Sequence, residues 1–325
     1  MGIFDSIFGG KSKDDNKKKN TGEASENNII RVNSNECKEI DKVTYHKGKP
    51  LTGTYYRLYY NGQLDVEIEM IDGVQNGLTK TYFKNGKLQS EGIFKNGKPN
   101  GLFKYYFESG QLQSERNLEN DEVKGVFKDY FESGQLEIQG SYTNGEKDGI
   151  VKDYFENGQL KSEGVFKNGK QEGLFKYYTE NGKLDSEQTY KNSILNGLFK
   201  FYFENGQLEF QVNKKNGEND GVWKKYFENG QLESEMNFKN GKEEGVYKKY
   251  FENGQLQEEH FFKNGEPTGL SKVYTKDGDL KQEQKWKNGK KEGKCKEYYI
   301  PPKPTKEEED FLQIFRDMDL LKKKD

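Results

Sequence analysis

Apolar filler is scarce in this 325-residue chain: only 30% of its residues are hydrophobic, and Ala24 is its sole alanine. A thick globular core is hard to build from such a composition, which taken alone suggests disorder. No stretch approaches the ~20 consecutive apolar residues of a membrane-spanning helix. Cysteine is confined to Cys37 and Cys295, far apart and outside any metal or redox motif, a usage that fits a reducing cytoplasm. Histidine is confined to His46 and His260, without the neighbouring cysteines or acidic cluster that zinc requires. An excess of charge is missing too, since 53 Lys and Arg face 55 Asp and Glu for a net charge of −2. Nucleic-acid binders displace counterions with surplus positive charge, so this balance argues against DNA or RNA as a partner.

Aromatic residues and glycine are plentiful instead. Phe, Tyr and Trp make up 14% of the chain, which disordered segments usually lack, and 37 glycines stand against only six prolines. A thin, turn-rich β architecture reconciles these numbers.

The glycines are periodic. Gly53, Gly77, Gly101, Gly125, Gly149, Gly173, Gly197, Gly221, Gly245, Gly269 and Gly293 follow one another at intervals of 24. A second series, from Gly62 to Gly278, trails by nine residues, and a leucine series from Leu64 to Leu280 follows two positions later. Such self-similarity without insertion or deletion is the signature of a repeat array. In the unit that opens at Gly221, Asn229-Gly230 separates two strand-like runs, and Asn240-Gly241 leads to the next unit. Asn-Gly favours the two-residue hairpin turn, because both central positions need positive φ. The reading is therefore strand, tight turn at Asn229-Gly230, strand, looser turn at Asn240-Gly241. Asp121 and Ser193 replace the second glycine in two units, and those connections are expected to differ locally.

A two-residue tip at Asn229-Gly230 fixes the register, with Phe227 opposite Leu232, Lys224 opposite Glu235 and Gly221 opposite Phe238. These are a hydrophobic pair, an opposite-charge pair and an aromatic ring laid over a glycine, all favourable across strands. The lysine position holds from Lys80 to Lys296, and its partner is glutamate except at Gln139 and Gln211. Each exposed pair contributes only about 0.2–1 kcal/mol, so the ladder tunes register more than stability. One face carries Trp223, Phe227, Leu232 and Phe238; the other carries Val222, Lys224, Tyr226 and Glu235. Most of the aromatic ladder is expected to bury neighbouring repeats. The variable phase, with Arg116, Val212, Met236 and His260, together with Trp223, supplies the candidate partner-binding residues.

The ends depart from the pattern. At the N-terminus, Ile3, Phe4, Ile7 and Phe8 space like one face of a short helix, ahead of Lys11, Lys13 and Lys17 to Lys19. This stretch is too short for a signal-peptide core but suits weak membrane contact. Residues 9–28 read as a disordered linker. Residues 29–53 form a degraded half-repeat, with Tyr45-His-Lys-Gly-Lys echoing Phe-Lys-Asn-Gly-Lys, and are expected to cap the first edge of an array that spans 29–300. Pro301, Pro302 and Pro304 stop the sheet. Thr305-Lys-Glu-Glu308 is a capping box, and Phe311, Ile314, Phe315, Met318 and Leu321 follow at helical spacing. Segment 301–325 is thus read as an amphipathic helix folded over the last hairpin.

The unit Gly-x-x-Lys-x-Tyr-Phe-x-Asn-Gly-x-Leu…Phe-Lys-Asn-Gly-Lys-x-x-Gly resembles the MORN repeat family, and within it the variant of YwqK-type antitoxin proteins. The resemblance covers roughly residues 45–299. It implies a β-hairpin array used as a scaffold or dimerisation module, an antitoxin or immunity role, and in some relatives contact with phospholipids. No kinase, methyltransferase or toxin domain accompanies the repeats.

These readings combine into an all-β, elongated, solenoid-like single-layer antiparallel sheet of 24-residue hairpins with a short C-terminal helix. The turns form no phosphate-binding loop, and carboxylates alternating with lysines are unsuited to raised-pKa acid catalysis. The expected function is non-catalytic protein binding in the cytoplasm, without cofactor or metal, with a toxin as one candidate partner. Membrane association and self-assembly are the alternatives.

Overall fold

The computed structural model describes residues 30–301, residue 303 and residues 305–322, with side chains through residue 314. The readings made for residues 1–28, for Pro302 and Pro304, and for the side chains of Phe315, Met318 and Leu321 lie outside this description.

Alternating turn signals and strand-prone runs fold into one 24-stranded sheet in which successive strands pair antiparallel, from Gly53–Leu58 through to Lys290–Glu297. Two of its passes are each split into a short and a long strand, Glu146–Lys147 with Gly149–Tyr154 and Lys242–Glu243 with Gly245–Tyr250. The register expected for the middle of each hairpin is present: Lys224 stands opposite Glu235, and Gly221 opposite Phe238.

The two turns are the reverse of the expectation. Asn240 and Gly241 both have positive φ, 51° and 75°, so the connection between units is the tight two-residue turn. At the other end Gly230 alone takes positive φ, at 83°. The Phe227 amide donates to the Gln231 carbonyl and the Gly230 amide to the Phe227 carbonyl, both at 2.8 Å, which closes a three-residue loop. The Asn229 backbone stays out of the left-handed region, and its side-chain oxygen accepts the Gln231 amide at 2.9 Å. The extra loop residue creates a bulge that brings Tyr226, not Phe227, opposite Leu232. Asp121 and Ser193 do not alter their connections either. They adopt φ of 72° and 63° in the glycine position of the same turn, so the backbone is kept at the cost of side-chain strain.

The repeating first glycine has a second role. Gly221, at φ 111°, sits where the ladder to the preceding strand skips from Val212–Trp223 to Lys214–Asn219. A glycine bulge of this kind bends and twists its strand. One such bulge recurs in each unit, and on the face where the rings gather Phe127 is only 2% exposed. On this aromatic face, rings meet edge-on, as in Phe166–Phe175 at 5.5 Å and Phe127–Tyr142 at 4.9 Å. Phe103, Phe127 and Phe175 lie over the side-chain-free backbone of Gly92, Gly140 and Gly164.

At the start of the array, β1 (Arg31–Asn33) pairs parallel with Thr54–Tyr56. β2 (Cys37–Ile40), β3 (Val43–His46) and β4 (Lys49–Pro50) form a separate three-stranded sheet. Val32 and Leu51 bury themselves against Met70 of the first hairpin, and the Gly73 amide donates to the Leu51 carbonyl at 2.7 Å. At the far end the strand Lys290–Glu297 is exposed throughout. The helix Lys306–Lys322 opens with the expected capping box: the Glu308 carboxylate accepts the Thr305 amide at 2.6 Å, and the Thr305 hydroxyl accepts the Glu308 amide at 3.3 Å. On this helix Phe311, Leu312 and Ile314 are 59%, 49% and 56% exposed.

Candidate interaction surfaces

The strand alternation assigns each unit's side chains to two faces with different physics. The charged face is built on the lysine and glutamate positions. Because each strand pairs on both sides, the ladder is continuous: Lys80 stands opposite Glu91, Glu91 opposite Lys104, Lys104 opposite Glu115 and Glu115 opposite Lys128. The tyrosine of the following unit joins it. Tyr82, Tyr106, Tyr130 and Tyr202 donate to Glu67, Glu91, Glu115 and Glu187 at 2.8–2.9 Å. Gln139 reverses the polarity and donates to the Tyr154 oxygen at 2.8 Å. Burial and the adjoining carboxylate push the Tyr82, Tyr106 and Tyr130 phenols up to about 12. Burial alone would raise Glu187, but hydrogen bonds from Tyr202 and Lys200 prevail and hold it below the usual carboxylate range.

Beside this ladder runs a row that the sequence reading passed over. From Gly101 to Gly269 the residue after the opening glycine is aliphatic and exposed: Leu102, Val126, Ile150, Leu174, Leu198, Val222, Val246 and Leu270 are all 36–62% exposed. Ile93 and Val165 widen it, being 50% and 42% exposed. Two strands per unit space its members by roughly 10 Å. The signal was present as an aliphatic residue at constant phase, but a β-branched or leucine residue in a strand reads by default as core.

The candidate residues from the variable phase lie on the aromatic face. Trp223 stands between Val212 and Met236 in register, so these three form one group across adjacent strands. Val212 and Met236 are only 3% and 7% exposed and present little surface. Arg116 lies four units from Val212; it pairs with Asp129 at 2.5 Å and covers the Phe127 ring at 5.2 Å. His260, one unit beyond Met236, stacks at a tilt on Tyr247 with centroids 5.9 Å apart and contacts Glu258 at 3.2 Å. The other histidine, His46, lies in the small N-terminal sheet, opposite Cys37.

Among the described residues no group of three or more His, Cys, Asp or Glu side chains could hold a metal ion, and no helix is long and apolar enough to cross a membrane.

Nine consecutive segments, 75–96, 99–120, 124–144, 147–168, 171–192, 195–216, 219–240, 243–264 and 267–288, match the family described as MORN repeat variant. No curated protein matches the chain. Among solved structures it is similar to the TcdB2–TccC3 crystal structure, at 12% identity and a TM-score of 0.17 over 75% of this chain and 16% of that one. The TcdB2–TccC3–Cdc42 structure gives the same identity and TM-score over 77% of this chain and 16% of that one.

Proposed function

The chain belongs to the MORN repeat variant family, and we propose that its array is a non-catalytic scaffold that binds another protein along the charged face. The row from Leu102 to Leu270 carries this reading. Single exposed apolar residues are ordinary, but here they recur at one phase over eight units. They alternate with Asn117, Ser141, Thr189 and Asn213 on the intervening strands, and such a periodic surface can be contacted over several units at once. The flanking lysines and glutamates supply register and discrimination while adding little net charge. Two free cysteines suit a cytoplasmic setting. No catalytic domain is identified beside the repeats.

A finer reading follows from the resemblance to the YwqK-type proteins: the partner is a toxin encoded next to this chain. Co-purification with the neighbouring gene products, using the wild type and a Val126→Lys/Ile150→Lys/Leu174→Lys variant, tests both levels. A partner held by the wild type and released by the variant supports the scaffold; a partner held equally by both removes this face from the argument. A partner with no toxic effect when expressed alone eliminates the toxin reading only.

Self-assembly is a second reading, favoured by the ladder itself. Two alternating Lys–Glu files offset by one strand place opposite charges face to face. Light scattering that gives a monomer mass at high concentration excludes it.

A further inference from the structure

A cavity of about 420 Å³ opens on the aromatic face around Tyr247, walled by Phe262, Trp286 and His260, with Glu243 and Glu258 among its lining. The volume falls within the roughly 300–1,000 Å³ usual for small-ligand sites. The array contains its own reference for this place. Five units earlier, the same positions surround Phe127. There Lys147 lies between two rings, with its ammonium 5.4 Å from Phe127 and 5.5 Å from Phe166, and Arg116 covers the other neighbour position at 5.2 Å. That slot is filled by the chain's own cations.

Around Tyr247 the chemistry is inverted. Pro267 stands where Lys147 does, and Met236 where Arg116 does, while Glu243 and Glu258 replace Val123 and Ile138. The ring walls are kept, with Tyr247 for Phe127 and Trp286 for Phe166, and His260 for Gly140 adds another ring. Both of those internal cations are thus gone and two carboxylates have been gained, while Lys249 stands where Asp129 does and Lys291 where Gln171 does. The positive groups nearby are Lys249, opposite Glu258 in register, Lys291, 5.7 Å from the Trp286 ring, and Lys225, paired with Glu233 at 2.9 Å. The Glu258 carboxylate contacts His260 at 3.2 Å, and Nε1 of Trp286 is buried without a partner.

We propose that this cavity binds an organic cation, a guanidinium or a methylated ammonium, which takes the place that Lys147 fills in the earlier unit. Ring faces attract such groups, and the carboxylates supply the counter-charge that the internal lysine needs nowhere else. The inference does not depend on what the opposite face binds. The cation is either a free small molecule or the side chain of a protein partner.

Two tryptophans are present, Trp223 and Trp286, so the indole N–H resonance of Trp286 can be assigned with a Trp223→Phe variant and followed by NMR. N-acetylarginine amide represents a protein side chain, tetramethylammonium represents a free cation, and N-acetylcitrulline amide is the neutral control. We expect saturable movement of the Trp286 resonance with at least one cation and none with citrulline. A Glu243→Gln/Glu258→Gln variant should bind about tenfold more weakly. Pro267→Lys, which restores the arrangement of the earlier unit, should abolish binding while the other amide resonances stay in place. A response to arginine alone identifies a side-chain site, and one to tetramethylammonium alone a free-ligand site. Equal movement with citrulline, no movement with either cation, or undiminished binding by Pro267→Lys overturns the proposal.

Discussion

Adding one methyl group at Gly140 tests the idea that the aromatic face is packed by laying rings on bare backbone. Gly140 is outside the positive-φ region, so its conformation is open to alanine and only space decides the outcome. A Cβ there would stand 2.7 Å from Cε1 of Phe127 and 2.9 Å from Cγ2 of Val151. Ordinary carbon contacts are about 3.5–4.0 Å, so both neighbours must retreat by roughly an ångström. Neither has room, since Phe127 is 2% and Val151 3% exposed. Overpacking of this kind costs about 1–3 kcal/mol, against a gain of about 0.4–1 kcal/mol from the less flexible unfolded chain. The net expectation for Gly140→Ala is a loss of about 1–2 kcal/mol. Repeat arrays open locally, so amide hydrogen exchange in strands Leu136–Thr143 and Gly149–Tyr154 is the suitable assay. Protection there should fall about five- to thirtyfold. In the double variant Gly140→Ala/Phe127→Leu the smaller side chain should relieve the clash, giving a coupling of about 1 kcal/mol. Unchanged exchange in Gly140→Ala, or strict additivity in the double variant, would refute the packing argument.

The turns, the carboxylates and the phenols give further predictions. Asp121→Gly and Ser193→Gly should each stabilise the local hairpin by about 1 kcal/mol, read as slower exchange in the flanking strands, because only glycine occupies that turn position without strain. Glu187 is depressed in the folded protein, so its contribution is complete above the ordinary carboxylate range and is lost as pH falls through its lowered value. Tyr202→Phe should move the Glu187 titration upward in a carboxyl-detected NMR experiment. Tyr82, Tyr106 and Tyr130 are raised to about 12, so their contribution is intact below the ordinary phenol range of about 10 and is lost as pH climbs through 12. Ultraviolet titration should show these tyrosinates forming well above the ordinary phenol range of about 10.

The repeat, the strand direction and the central register were legible because each is written within one unit. Lys224 against Glu235 and Gly221 against Phe238 need only a hairpin and complementary side chains. Which Asn-Gly forms the tight turn was not legible, since the two dipeptides are identical. In the longer loop the asparagine amide reaches the next unit, as Asn205 does to the Glu228 carbonyl at 3.0 Å and Asn157 to that of Glu180 at 2.9 Å. The same loop closes with Ser109 and Ser133 in that place, so this position does not need the left-handed conformation that asparagine favours. Variability at Val212 and Met236 suggested recognition, yet both lie between neighbouring strands and expose only 3% and 7% of their surface. The aliphatic row is the converse, since its members look like core by residue type yet stand 36–62% exposed on the charged face.

The shared carboxylates have a consequence for how such an array can change in length. From Glu91 onward every glutamate of the ladder is claimed by a lysine on each flanking strand, and every internal lysine by an acidic or amide neighbour on both sides. Excising or duplicating a whole 24-residue unit rejoins this alternation in phase. Losing a single strand would set lysine against lysine and turn the following units over, hiding their aliphatic row. Growth and shrinkage are therefore quantised in complete hairpins.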